Sequence, residues 1–80
     1  MEIYRIYGVE GNIEYGAEWD STYNGMVCWA KNGDTELNRF VTFPEKEKGI
    51  VPRKNNTQAD EAWAAVDSKI NEMIEVLKHE

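Results

Sequence analysis

Histidine and cysteine are almost missing from this chain of 80 residues, which has one of each, His79 and Cys28. A single cysteine excludes an internal disulfide, so folding rests on a hydrophobic core; this suits a reducing compartment, and the expected location is the cytoplasm. Nor is there a C-x-x-C pair, an H-E-x-x-H helix or an EF-hand loop: "DSTYNG" offers only Asp20 and Asn24 as hard ligands. His79 is the penultimate residue, where a basic ring beside the last helix carbonyls, or at a frayed end, is the ordinary arrangement. Cys28 stands in a short apolar run with no histidine near it in sequence, as inert buried thiols do. Phosphate loops are missing too, because Gly8 and Gly11 of "YGVEGN" join two strands and open no helix. With so few groups that titrate or attack near neutral pH, a non-enzymatic protein without metal or cofactor is expected.

Long apolar runs are equally scarce. None approaches the ~20 residues a membrane span needs, and "MEIYRIYGVEGN" lacks the basic and then apolar regions of a secretory signal. Basic residues number nine against fifteen acidic ones, a net charge of -6. The imbalance is uneven: residues 1–43 hold seven acids and three bases, residues 44–58 two and four, residues 59–80 six and two. Nucleic-acid affinity rests on cations neutralising phosphates, so an acidic chain starts at a disadvantage there and a basic protein surface is the better electrostatic match.

Only two prolines are present, and both fall in the one linker-like stretch, which marks 44–57 as a basic loop between a sheet at 1–43 and a helix at 58–79. Eighty residues make a single domain with a modest core. Strand signals come as two hairpins: "EIYRIYGV" and "NIEYGAEWD" meet at Glu10 and Gly11, "YNGMVCWAK" and "TELNRFVTF" at "NGD". Thr57 with Asp60 resembles a capping box, and Ala59, Ala62, Trp63, Val66, Ile70, Met73, Ile74 and Leu77 follow at helical spacing. The expected fold is therefore α+β: a four-stranded antiparallel meander with one C-terminal helix packed on one face, order ββββα.

Strand parity then sorts the side chains. Ile13, Tyr15, Ala17 and Trp19 alternate with Glu14, Gly16, Glu18 and Asp20. Met26, Cys28, Ala30, Leu37, Val41 and Phe43 belong under the helix; Val27, Trp29, Lys31, Glu36, Asn38 and Phe40 share the other face with Ile3, Tyr7 and Val9. A turn on Glu10 and Gly11 places Arg5 opposite Gly16, between Glu14 and Glu18 on its diagonals. Glu18 and Asp20, ~6.8 Å apart along a strand, match an inverting glycosidase pair in spacing, yet an open sheet face lacks the cleft that such chemistry requires.

A solvated sheet face shows clean polar alternation, and only "NIEYGAEWD" does so here. Aromatics ringed by charge are what protein-recognition surfaces present. The expected function is a small acidic binding module that docks on a basic surface of another protein through Tyr7, Glu14, Glu18, Asp20, Trp29, Glu36 and Phe40. Inhibitors that block a target's nucleic-acid site, such as phage-borne anti-defence proteins and antitoxins, have this size and sign of charge. One alternative is a nucleic-acid-binding accessory domain using Lys46, Lys48, Arg53 and Lys54 of the loop; another is a homodimer that pairs the free face with itself.

Overall fold

A computed structural model describes residues 5–44 and 59–79, with only the backbone of Arg5 and Ile6. The expected loop beyond Pro44, with its four cations and Thr57, lies outside the described residues, as does Ile3. Four strands, β1 (Arg5–Glu10), β2 (Ile13–Asp20), β3 (Gly25–Asn32) and β4 (Thr35–Thr42), form one antiparallel sheet in sequence order, followed by helix α1 (Asp60–Lys78). This is the ββββα meander that the spacing of turns and apolar residues calls for.

The first turn sits one residue later than expected. Glu10 pairs with Ile13, so the two-residue loop is Gly11 and Asn12, and Arg5 faces Glu18 where Gly16 was expected. The reason is backbone sterics: the tight turns that match strand twist need a positive φ at their first central position, where glutamate carries a Cβ penalty and glycine none. Gly11 has φ +62°, and Gly33, first in the Gly33–Asp34 loop of the last hairpin, has φ +60°. The slip moves the pairing by two places in sum, so every side chain keeps its face.

Between β2 and β3, Ser21–Asn24 make a longer link. The Thr22 N–H donates to Asp20 Oδ1 (2.9 Å), an Asx turn. Asn24 takes a left-handed φ of 52°, which asparagine tolerates better than most residues. Its backbone carbonyl accepts from Phe43 N–H (2.9 Å), and its side-chain amide donates to the Phe43 carbonyl (3.3 Å). The clasp holds Phe43 between Trp19 and Trp63, edge-on to both at ring distances of 5.5 and 4.7 Å.

Helix α1 covers β2, β3 and β4 with Ala62, Trp63, Val66, Ile70, Met73, Ile74 and Leu77, all buried against Ile13, Ala17, Met26, Cys28, Ala30, Val41 and Phe43. Its apolar positions are those of the 3.6-residue spacing. The start differs: the N-cap is Ala59, with no side-chain cap bond, so the helix begins two residues after the expected 58. Asp60 and Glu61 in the first turn and Lys78 in the last complement the macrodipole in place of a cap. Its backbone does not approach β1; Lys78 reaches across, its Nζ 2.6 Å from Glu10 Oε2. Over Gly8 the helix side of β1 is filled by Tyr15, whose ring lies where a Cβ would stand.

Candidate functional site

The face away from α1 is where the free side chains gather. In register across it run Tyr7–Gly16–Trp29–Asn38, flanked by Val9–Glu14–Lys31–Glu36 on one side and Arg5–Glu18–Val27–Phe40 on the other. Asp20 and Gly25 follow at the far end. All seven residues singled out by parity thus share one face, with aromatics in the middle rows and carboxylates around them.

Two aromatic pairs build its apolar part. Neighbouring strands lie ~4.8 Å apart, so residues on either side of a central strand have backbones roughly 10 Å apart. Tyr7 and Trp29 nevertheless bring their ring centroids to 6.0 Å by leaning over Gly16 between them, and Gly16 is buried as a result. Phe40 lies over Gly25 in the same way, its Cζ 2.7 Å from where a Cβ would be, and Tyr23 of the β2–β3 link meets it edge-on at 6.1 Å. Glycine inside a strand often marks such close approach. Parity found the aromatics but not this: the strand glycines were the available signal, and Tyr23, in a link, was missed altogether.

Covering glycine does not hide these rings. Tyr7 is 61% exposed, Tyr23 68% and Phe40 43%, with Val9 also exposed and Trp29 and Val27 half-buried. Large apolar groups this open on one face form a patch of the kind proteins use for contact.

The carboxylates are not equivalent. Asp20 holds its own turn, Glu36 Oε2 accepts from Asn38 Nδ2 (3.2 Å), and Glu18 is engaged. Glu14 makes no hydrogen bond or ion pair among the described residues, although Lys31 stands directly across from it in the register. The expected seat of Arg5 between Glu14 and Glu18 is corrected by the pairing to a place opposite Glu18. Lys31, between Glu14 and Glu36, is the cation nearest Glu14 in register.

Elsewhere the described residues offer little chemistry. Burial and the charge of Asp67 push the Cys28 thiol up to about 11, so it stays protonated under mild conditions. His79 lies exposed beyond α1, 3.6 Å from Glu75. Among the described residues no three His, Cys, Asp or Glu side chains are grouped to hold a metal ion. A shallow open groove between β4 and α1 is lined by Arg39, Asn71, Glu72, Met73, Glu75 and Val76, with the Arg39 guanidinium turned back onto the Asn38 carbonyl (2.7 Å). No described helix is long and apolar enough to cross a membrane. Compared with protein-family models, curated proteins and solved structures, the chain matches none.

Proposed function

We infer that the protein is a non-enzymatic binding module whose helix-free sheet face docks on a basic surface of another protein. The observation that carries this reading is the exposure of Tyr7, Val9, Tyr23 and Phe40 beside half-buried Trp29, all on the face that α1 leaves open. Four carboxylates surround this centre, Glu14, Glu18, Asp20 and Glu36, and Lys31 is the one cation whose side chain is described there. An apolar centre with a charged rim is the anatomy of a protein interface, and the sign selects a basic partner and speeds its approach. Blocking a partner's nucleic-acid site, as anti-defence inhibitors and antitoxins do, is the role this surface suits, since such sites are basic. The same negative charge disfavours pairing of the face with its own copy.

The test is affinity capture by the wild type, by a Tyr7→Ala, Phe40→Ala variant and by a Glu72→Gln variant on α1. All three are first shown to be folded by circular dichroism. The expected result is a basic protein retained by wild type and Glu72→Gln at low salt and lost from the free-face variant. Equal retention by all three overturns the reading. Light scattering that finds a dimer of wild type and a monomer of the free-face variant assigns the face to self-association instead.

A further inference from the structure

We propose that the Tyr7–Trp29 pair over Gly16, with Glu14 beside it, is a receptor for an arginine side chain on the partner. The proposal rests on the docking reading above and narrows it to one subsite. Tyr7, Gly16 and Trp29 are in register, and the rings lean together over a residue that has no side chain to hold them apart. At 6.0 Å between centroids and 53° between planes the rings are too close to admit a third plane, since two stacked contacts need ~7 Å. A ligand therefore lies on the outward surface of the pair, and a strand glycine beneath keeps that surface low and broad.

A bare apolar saddle takes any apolar side chain; the carboxylate beside it decides in favour of a cation. Glu14 is two residues from Gly16 on the same face, ~6.8 Å along the strand, so its carboxylate stands at the edge of the saddle. Lys31 faces it across the ladder without closing an ion pair, and Glu14 has no other hydrogen-bond or ion-pair partner among the described residues. A group over these rings meets a π face below and an unengaged carboxylate at its side. A guanidinium satisfies both, because its plane stacks on an aromatic ring while its edge donates to a carboxylate. An ammonium is compact and strongly hydrated and gains less from the rings. Electrostatics alone would not separate the two, so the preference of arginine over lysine is the signature of the site.

The experiment titrates the full chain at low salt with short oligo-arginine and oligo-lysine peptides of equal length and follows the Trp29 indole resonance, assigned through Trp29→Phe. The wild type is expected to bind the arginine peptide roughly 2- to 5-fold more tightly, with the Trp29 signal moving and that of buried Trp63 still. Tyr7→Leu and Trp29→Leu keep an apolar cover on Gly16 but remove the π faces. They should bring the two affinities together while leaving the lysine peptide's almost unchanged. Glu14→Gln should weaken the arginine peptide more than the lysine one. Equal affinities in the wild type, or a preference that survives in the double leucine variant, overturn the receptor. If capture of a basic protein still depends on the free face, the receptor falls alone; if capture is indifferent to that face, the docking reading falls with it.

Discussion

Two tryptophans of one composition do different work. Trp63 is 3% exposed and stacked edge-on to Phe43, so Trp63→Ala leaves a cavity at the centre of the core and should cost ~3 to 5 kcal/mol, enough to unfold much of so small a domain. Trp29 is half-buried, on the opposite face, with Gly16 beneath its ring. Trp29→Ala should cost ~1 to 2 kcal/mol and leave a folded chain, because only part of the indole leaves water on folding. Thermal melts followed by circular dichroism check both values; equal losses would mean that Trp29 belongs to the core. Cys28 gives a second prediction. In the unfolded chain it ionises near 9 and in the folded one near 11, so the native state holds the extra proton between those values. Stability at alkaline pH should therefore fall as pH rises from about 9 to about 11, by up to roughly 2 to 3 kcal/mol, and be unaffected below this range. Urea titrations of wild type and Cys28→Ala across this window isolate the contribution. Below it, the native thiol should resist thiol reagents that label the unfolded chain.

At the scale of elements, the hairpins depend on where a positive φ is allowed. Gly11→Ala and Gly33→Ala meet no neighbour, yet each forces alanine into the left-handed region and should lower stability by ~1 to 2 kcal/mol in chemical denaturation. Asn24→Ala should cost more than Asn24→Gly, since glycine keeps the backbone conformation and loses only the side-chain amide's bonds to the Phe43 and Pro44 carbonyls. Strand and helix types, their order and the two faces were legible from the sequence because period 2 and period 3.6 differ plainly in "NIEYGAEWD" and "AWAAVDSKINEMIEVL". Parity survives any even slip, which is why the faces came out right although the first turn sits on Gly11 and Asn12. What misled was the choice of residue for the first turn position, where glycine outweighs glutamate; the helix itself starts at Asp60 with Ala59 as its N-cap. The cover of Gly8, Gly16 and Gly25 by rings was not legible, because it depends on which strands become neighbours.

For the molecule as a whole, one side of the sheet is packed under α1 and the other presents aromatics ringed by carboxylates. Replacing Glu14 and Glu18 together by lysine should abolish low-salt association with a basic partner. The melting temperature should move little, since exposed charges contribute only ~0 to 1 kcal/mol each to folding. Loss of the fold in that variant would show the carboxylates to be structural. The candidate site was legible as a list of residues on one face; its centre was not, because the 6.0 Å approach of Tyr7 and Trp29 needs the glycine between them. The first strand carries a last consequence. Of β1, none of Tyr7–Glu10 is buried, the backbone of α1 stays away from the strand, and Tyr15 of the neighbouring strand fills the space over Gly8. Such a strand can detach while the other three and the helix stay packed, so its amide protons should exchange with solvent by local opening, faster than those of β3, which exchange only on global unfolding. Tyr7 leaves the recognition surface with each such opening. The lifetime of the competent surface is then set by the fraying of one edge, and substitutions that loosen β1 would weaken binding in proportion to the time it spends open, at an unchanged melting temperature.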